Sequence, residues 1–515
     1  MQKLLPLVWL SCLLGCAPAQ AEPCLPLQPR GTQGGALMPG GLMNVRFGGT
    51  ARTPLALDVY PHADSAMRPL AVVLRGGRGT VGERSSYVGQ LVELFADAGY
   101  VVATADYRAV PDGVDDLTAA LRLLTMCHAA ALHVDQYKVV LVAEDSAAVP
   151  AASVSARLRE LRLGRFGGAP APPVATVLIG ARTTAMPPLT QPTVIVHGSA
   201  DTEVPIAGIR TLCATAGPSC QVVEVEDASH RVENWWPSQW GYKSRLLAAL
   251  APLVGPIQPP AWPSTASLRK KVTFDAAHGL TLDLRVPPGA GPHPAVVLVH
   301  GGGWEAGDRV TYVAPIFDLA AARGLASVSV DYRLTPSVSN REQVEDVAAA
   351  LRFLRDQAAS LRLDPRRLVL VGESASGQIV AHLASTERDL AGVISFYGVY
   401  DLEAMAGDPS SPRSLARRLF GITQLDDSAR RQLRAFSPLH HASKELPPLL
   451  LIAGTADRLV VQQRAYVTAL EAAGARVESI EIEGAPHGME AWHEEPRWRR
   501  WKQQVGDWIV KRMAK

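Results

Sequence analysis

The stretch that decides the fold lies at residues 369–377 and reads Val-Leu-Val-Gly-Glu-Ser-Ala-Ser-Gly. A short apolar run enters a tight turn that carries Ser374, and small residues, Gly372 and Ser376, lie two positions to either side. Small residues at these positions let a strand and the following helix pass close together, while the turn exposes the serine hydroxyl at the end of a sheet. Taken alone, the stretch is also compatible with an ordinary turn.

A second glycine-rich motif lies upstream, at residues 299–304, and reads Val-His-Gly-Gly-Gly-Trp after another apolar run. Consecutive glycines allow backbone N–H groups to turn toward a developing negative charge. The loop by itself could be a simple turn. Together with the serine turn, it predicts an oxyanion hole formed by the backbone amides of Gly301, Gly302 and Ala375.

An acid and a base follow the serine in the chain. Asp457 comes just after the apolar run 449–452, and His487 lies in a loop after the strand-like segment 477–482. Alone, Asp457 could cap a helix and His487 could be structural. In the order serine, acid, histidine at successive strand ends, they predict a triad in which His487 takes the Ser374 proton and Asp457 fixes the tautomer of His487.

Short apolar runs alternate with longer segments of helical period in the second half. These runs occupy residues 295–299, 326–330, 367–371, 392–396 and 449–452. Continuous apolar strands that alternate with helices predict a parallel sheet covered on both faces. Near the C-terminus, the spacing of three or four residues between Trp498, Trp501, Val505 and Trp508 predicts a helix whose aromatic stripe packs into the core.

The two halves of the chain repeat one plan. Residues 69–74 match 294–299, and Asp-Tyr-Arg at 106–108 recurs at 331–333, with an offset of 225 residues in both cases. Such self-similarity predicts a tandem duplication, and 515 residues exceed what one hydrophobic core usually supports. The predicted fold class is therefore α/β, with two tandem domains, each a mostly parallel, doubly wound sheet with helices on both faces.

The predicted domain boundaries follow from this repeat and from composition. A proline-rich stretch disfavours both helix and strand and suits a linker. The expected order is a signal segment at 1–21, a first domain at 31–251, a linker at 252–267 and a second domain at 268–515.

Three motifs of the second half resemble the hormone-sensitive-lipase-like and feruloyl-esterase-like carboxylesterases of the α/β-hydrolase superfamily. They are His-Gly-Gly-Gly-Trp at 300–304, Asp-Tyr-Arg-Leu at 331–334 and Gly-Glu-Ser-Ala at 372–375. The resemblance covers nearly all of residues 268–515. It implies an eight-stranded sheet, no cofactor and hydrolysis of small or sugar-linked esters. Ser376 stands where the family usually has glycine.

The expected function is that of a serine carboxylesterase that acts through an acyl-enzyme intermediate. Two alternatives stay open: a serine peptidase of the prolyl-oligopeptidase type, and a non-catalytic binding or scaffold protein. Residues 400–446, which separate two predicted strands, are either a cap over the substrate pocket or a solvated helical insertion.

The first half keeps the frame of the second but has a different residue at the nucleophile position. Asp145 aligns with Ser374, and Arg-Gly-Gly-Arg at 75–78 aligns with the glycine loop. Asp201 and His230 nevertheless keep the acid and base positions. This pattern predicts a degenerate α/β-hydrolase domain.

Three interpretations of this degenerate site remain open. The site could be a decayed pseudoenzyme site, a hydrolase site that uses Asp145 as nucleophile in the manner of the haloalkane dehalogenases, or a site with its nucleophile shifted to Ser146. A structural alternative for Asp145 is an ion pair with Arg75 or Arg78.

Composition and the N-terminus bound the partners and the compartment. A net charge of +2 with 19% charged residues offers no field for nucleic acid. Lys3 followed by the apolar run 4–15 predicts an export signal. Its end is either an ordinary cleavage site at 19–21 or a lipobox in which Cys16 is lipidated. We therefore expect a periplasmic, extracellular or outer-membrane protein of a bacterium, bound to a membrane through a lipid anchor at most.

Cysteine usage agrees with export without requiring it. The four cysteines past the signal all lie in the first half and permit two disulfides, although free buried thiols are an alternative. They are Cys24, Cys127, Cys213 and Cys220. No cysteine or histidine spacing predicts a metal site.

Overall fold

The computed structural model describes most of both halves of the chain. The described residues are 24–25, 42–50, 52–62, 65–76, 89–163, 169–226, 228–230, 235, 241–255, 267–309, 314–489, 492 and 500–514. The predicted signal at 1–21, Cys16 and residues 256–266 of the predicted linker lie outside them.

Two eight-stranded sheets with the same strand order make up the structure. The first sheet has the order β1-β2-β4-β3-β5-β6-β7-β8; its first three strands in that order pair antiparallel and all later neighbours pair parallel. Its strands are β1 (Leu42–Gly49), β2 (Pro54–Tyr60), β3 (Arg68–Leu74), β4 (Val101–Ala105), β5 (Val134–Glu144), β6 (Ala175–Ile179), β7 (Thr193–Gly198) and β8 (Cys220–Val225).

The second sheet repeats this order as β9-β10-β12-β11-β13-β14-β15-β16; here β10 pairs antiparallel with β9 and β12, and all other neighbours pair parallel. Its strands are β9 (Ser267–Asp275), β10 (Leu280–Val286), β11 (His293–Val299), β12 (Ala326–Val330), β13 (Leu363–Glu373), β14 (Gly392–Phe396), β15 (Leu449–Gly454) and β16 (Val477–Ile482).

Helices connect the parallel strands of both sheets. Those of the first half are α1 (Gly89–Asp97), α2 (Asp112–Arg122), α3 (Ala148–Leu163), α4 (Ile206–Ala216) and α5 (Gly241–Val254). Those of the second half are α6 (Ala314–Ala322), α7 (Asn340–Asp356), α8 (Ala358–Leu361), α9 (Ala375–Leu383), α10 (Leu415–Phe420), α11 (Asp427–Ala435), α12 (Val460–Ala472) and α13 (Arg500–Met513).

Each sheet is buried on both faces, because its central strands are continuous apolar runs. Along β11, Val297 and Val299 belong to the hydrophobic core on one face, while Val296 and Leu298 belong to the core on the other face. The first sheet is likewise placed between two cores. The predicted fold class, two mostly parallel α/β sheets with helices on both faces, is confirmed.

The C-terminal helix and the predicted linker can be compared with their sequence expectations. In α13, Trp501, Val505 and Trp508 are buried, so the aromatic stripe is core packing as predicted; Trp498 lies outside the described residues. Helix α5 continues to Val254, beyond the predicted linker start at 252, and β9 begins at Ser267.

Two disulfides link the four cysteines of the first half that lie past the predicted signal segment. They join Cys24 to Cys127 and Cys213 to Cys220. The alternative of free thiols is therefore not observed. Among the described residues, no helix is long and apolar enough to cross a membrane, and no cluster of His, Cys, Asp or Glu side chains is arranged to hold a metal ion.

Candidate active site

Ser374 lies on a strained turn between β13 and α9, with a φ of 54° and a ψ of −115°. A side chain at Gly372 would overlap the backbone of the incoming helix at Ser376, so close packing requires glycine there. Ser376 is fully buried, and its hydroxyl accepts from the Glu373 N–H at 2.8 Å and lies 2.7 Å from the Val299 carbonyl. The serine that replaces the usual glycine thus ties the turn to the end of β11.

The structure brings Ser374, Asp457 and His487 together. His487 Nε2 lies 3.0 Å from Ser374 Oγ, and His487 Nδ1 lies 2.6 Å from Asp457 Oδ2. Asp457 is buried just after β15, and its other carboxylate oxygen accepts from the Leu459 N–H at 2.8 Å. An Nδ1–H that donates to Asp457 leaves Nε2 free to accept the serine proton, which is the tautomer a general base needs.

The glycine loop after β11 is oriented by hydrogen bonds to its carbonyl groups. The His300 carbonyl accepts from the Tyr332 hydroxyl at 3.0 Å, and the Gly301 carbonyl accepts from His300 Nδ1 at 2.8 Å. In a trans peptide the N–H points opposite to the C=O. The N–H groups of Gly301 and Gly302 are therefore directed away from Tyr332 and the His300 ring.

The same loop packs directly against the serine turn. A side chain at Gly301 would overlap the Glu373 carboxyl group, next to Ser374. Ala375 begins α9, and the first N–H groups of a helix have no partner within it. The three predicted amide donors, at Gly301, Gly302 and Ala375, thus come from two segments in contact, which is the construction that an oxyanion hole requires.

His300 is a structural member of the site that the sequence motif did not explain. Its ring is fully buried and stacks on Tyr332 with 4.3 Å between ring centroids. Burial lowers the pKa of His300, so the ring is neutral and donates from Nδ1. The sequence contained a signal for Tyr332, because Asp-Tyr-Arg at 331–333 repeats 106–108. In the structure, the Tyr107 hydroxyl of the first half donates to the Arg75 carbonyl at 2.5 Å, as the Tyr332 hydroxyl does to the His300 carbonyl.

The insertion between β14 and β15, which carries α10 and α11, contacts the glycine loop. Arg418 of α10 donates from Nη2 to the Gly303 carbonyl at 3.0 Å and from Nε to Glu305 at 2.6 Å. Leu419 and Leu433 of this insertion are fully buried in the core. The insertion therefore packs against the site. It is not a solvated segment without contacts near the site.

The first half assembles its corresponding residues in the same arrangement. Asp145, at the end of β5, has a φ of 49°, as Ser374 does at 54°. His230 Nε2 lies 3.1 Å from Asp145 Oδ1, and His230 Nδ1 lies 2.8 Å from Asp201 Oδ2. The partner of His230 Nε2 is thus Asp145, and both ring nitrogens face carboxylates.

A guanidinium group completes this first-half cluster. Arg182 Nε lies 2.6 Å from Asp145 Oδ1, and Arg182 also pairs with Glu203 at 2.8 Å. The ion pair suggested by the sequence was with Arg75 or Arg78, whereas the cation that contacts Asp145 in the structure is Arg182. Arg78 lies outside the described residues. Burial favours the neutral acid, but the hydrogen bond from His230 and the charge of Arg182 outweigh it and lower the pKa of Asp145.

The carboxylates also set the charge of His230. The hydrogen bond to Asp145, opposed by burial and assisted by the bond to Asp201, raises the pKa of His230 to about 9. An imidazole that donates from both nitrogens is protonated. Near neutral pH, His230 therefore has no free lone pair with which to accept a proton.

Comparisons with known proteins match the second half of the chain. A family model described as the alpha/beta hydrolase fold matches residues 296–491. The chain is 32% identical over 235 residues to an ethyl acetate hydrolase of Pseudomonas putida, a match that covers 42% of this chain and 73% of that protein.

One further relative and one solved structure are also similar to part of this chain. Esterase LipC of Mycobacterium tuberculosis is 27% identical over 221 residues, a match that covers 39% of this chain and 54% of LipC, so the chain spans about half of that relative. A truncated carbohydrate esterase from gut microbiota is 20% identical, with a TM-score of 0.42, over 50% of this chain and 99% of that structure. Through its C-terminal half, the chain belongs to the α/β-hydrolase family.

Proposed function

We propose that the chain is a serine carboxylesterase that hydrolyses small or sugar-linked carboxylic esters in its second half. The observation that carries the proposal is the pair of hydrogen bonds at His487, 3.0 Å to Ser374 Oγ and 2.6 Å to Asp457. The names of the relatives, an ethyl acetate hydrolase and an esterase, point to the same class of substrate.

Acylation begins when His487 Nε2 accepts the Ser374 hydroxyl proton and Oγ attacks the ester carbonyl carbon. The carbonyl π electrons move to oxygen, where the amides of Gly301, Gly302 and Ala375 stabilise the negative charge. The intermediate then collapses, the bond to the alcohol oxygen breaks, and His487 returns the proton to the leaving alcohol. Asp457 stabilises the imidazolium that exists between these two transfers.

Deacylation repeats these steps with water. His487 takes a proton from a water molecule, whose oxygen attacks the acyl carbon, and the proton then returns to Ser374 Oγ as the carboxylic acid leaves. The side chains named here suffice for both steps.

The test compares wild type and Ser374→Ala in the full chain, with nitrophenyl acetate, nitrophenyl butyrate and a peptide anilide as substrates. We expect ester turnover in the wild type, and a loss of about 10⁴-fold or more in the variant with its fold intact, because triad members act as a unit. Turnover of the anilide alone would favour a peptidase. No turnover of any ester would favour a binding or scaffold role, and full activity of Ser374→Ala would refute the proposal.

We further propose that the first half arose by duplication of the second-half plan and contributes no turnover of its own. Support comes from the equal strand order of the two sheets and from the protonated His230 beside Asp145. The Ser374→Ala chain provides the test, screened against esters and haloalkanes. Residual turnover that disappears on Asp145→Ala would show an aspartate nucleophile, and dependence on Ser146 would show a shifted one.

Export from a bacterial cell is also a proposal, and the two disulfides support it, because disulfides persist in oxidising compartments. Whether the protein is released or held by a lipid on Cys16 can be decided by cell fractionation. Membrane association that is lost in Cys16→Ser would establish the lipid anchor. A soluble wild-type protein that begins at Glu22 would instead establish the ordinary cleavage site at 19–21.

A further inference from the structure

The loop that carries His487 is irregular, so its position depends on side-chain contacts. Trp492 donates from its indole Nε1 to the Pro486 carbonyl at 2.8 Å. On the other side of the histidine, the Met489 N–H donates to the Tyr397 hydroxyl at 2.7 Å. One side-chain hydrogen bond therefore fixes the loop just before His487, and another fixes it just after.

The tryptophan contact is common to both halves of the chain. In the first half, Trp235 donates from Nε1 to the Ser229 carbonyl at 2.7 Å, and it stands five residues after His230, as Trp492 does after His487. Both halves therefore have this contact, so it is not specific to the half that carries the serine triad.

The tyrosine contact comes from a position at which the two halves differ. The residue that follows the sixth strand of the sheet is Tyr397 in the second half and Gly180 in the first. Both have positive φ, 38° for Tyr397 and 55° for Gly180. Glycine adopts this backbone readily, whereas a bulky side chain there is strained. The second half thus keeps a strained aromatic residue where glycine would be relaxed.

The two positions are not interchangeable in packing. A Cβ at Gly180 would lie 2.6 Å from the His230 carbonyl, so the histidine loop of the first half closes directly against the strand end. In the second half, Tyr397 is fully buried between the loop that carries His487 and the end of β14. Its ring lies 4.6 Å from the His487 ring and 5.2 Å from the Trp492 ring, measured between centroids.

Strained residues that persist despite their conformational cost cluster at functional sites, where surrounding contacts hold them in place. We propose that Tyr397 is a positioning residue for His487. Its ring limits the rotation of the imidazole, and its hydroxyl holds the loop, so that Nε2 and Nδ1 stay aligned with Ser374 and Asp457. This proposal rests on the proposed function, hydrolysis through Ser374.

The test variant is Tyr397→Phe, which keeps the ring and removes the acceptor of the Met489 N–H. We expect kcat for nitrophenyl butyrate to fall roughly threefold to tenfold, the equivalent of one hydrogen bond, with KM within about twofold of wild type. Because His487 serves both half-reactions, the pre-steady-state burst and the steady-state rate should slow together. A variant that acted only through substrate binding would change KM instead.

The matched control is Tyr400→Phe, at a second fully buried tyrosine whose hydroxyl bonds Ser395 Oγ at 2.8 Å and the Gly398 backbone rather than the histidine loop. It should lower the thermal midpoint about as much as Tyr397→Phe while changing kcat less. Wild-type kcat in Tyr397→Phe, or an equal loss in Tyr400→Phe, would overturn the positioning role and leave the proposed function standing, provided that Ser374→Ala is inactive. An active Ser374→Ala would end both proposals.

Discussion

Ser374 and Asp145 both have a positive φ, 54° and 49°, but they support opposite electrostatic arrangements. Such conformations typically cost about 1–3 kcal/mol in a residue other than glycine. At Ser374 the turn presents a neutral hydroxyl to His487. At Asp145 the same turn presents an anion to two cations, His230 and Arg182. Charge pairing therefore stabilises the first-half turn in a protonation state unsuited to general-base chemistry.

This pairing predicts a pH dependence of stability in the first half. The pKa of His230 is raised from the ordinary 6.5 to about 9, so its contribution is fully present below the unfolded pKa and is lost as pH rises through about 9. We expect the first-half unfolding free energy to fall by on the order of 2 kcal/mol between pH 7 and pH 10. Urea unfolding of the full chain across this range, followed by circular dichroism, measures the change.

The control for that prediction is His230→Gln, which cannot be protonated. At pH 7, the unfolding free energy of its first half should be lower than that of wild type. Between pH 7 and pH 10, this free energy should fall much less in the variant than in wild type. Parallel curves for wild type and variant would show that His230 is not the group responsible, and would contradict the protonated state assigned to it.

At the scale of elements, the patterns that sequence reasoning recovered are local. Strands β12 and β14 occupy the predicted residues 326–330 and 392–396, because short segments rich in β-branched and aromatic residues favour buried strands over helices. The serine, acid and histidine were predicted at strand ends from the apolar runs that precede them and from their order in the chain, and the structure brings them within hydrogen-bond distance.

Contacts between distant segments were not predictable in the same way. The pair of Arg182 with Asp145 joins residues far apart in sequence, and no periodicity marks it. The positive φ of Tyr397 was also hidden, because propensity favours glycine at such a position and the sequence has tyrosine. For the insertion at 400–446, charge among apolar residues indicated helices but not the surface on which they would pack.

The insertion helix α10 leads to a prediction about the glycine loop. Arg418 bonds the Gly303 carbonyl and Glu305, and thereby links this helix to the loop that would stabilise the oxyanion. Arg418→Ala should lower kcat for nitrophenyl butyrate by about threefold to thirtyfold, because a charged hydrogen bond contributes roughly 1.5–3 kcal/mol and only part of it acts on the loop. Steady-state kinetics, with the thermal midpoint as a check on folding, measures the effect.

A neighbouring arginine provides the control for Arg418. Arg417 is exposed on the same helix and makes a long contact of 3.5 Å to the Ser410 carbonyl, within the insertion itself. Arg417→Ala should leave kcat within about twofold of wild type. Equal losses in the two variants would indicate a general effect of charge on the insertion and would remove the specific role of the Gly303 contact.

At the scale of the whole molecule, covalent cross-links and the candidate site are in different halves. All four disulfide-bonded cysteines lie in the first half, whereas the second half contains no cysteine. The halves also touch, since Lys502 of α13 donates to both carboxylate oxygens of Glu93 in α1 at 2.7 Å. The contact raises the question of whether a change that destabilises one half also destabilises the other.

The disulfides allow this question to be tested. The Cys24–Cys127 bond joins residues with a sequence separation of 103, so its removal should cost the first half about 4–5 kcal/mol through the entropy of the unfolded chain. In the double variant Cys24→Ser/Cys127→Ser we expect the first-half melting transition to fall by roughly 10 °C, while ester turnover at 25 °C stays within about twofold of wild type. Removing the Cys213–Cys220 bond, with a separation of only 7, should produce a smaller shift, because a short loop loses less entropy.

Calorimetry of the full chain, paired with nitrophenyl butyrate assays at each temperature, separates the two halves. If activity were lost together with the first-half transition, the halves would form one cooperative unit, and the first half would support the site through contacts such as Lys502 with Glu93.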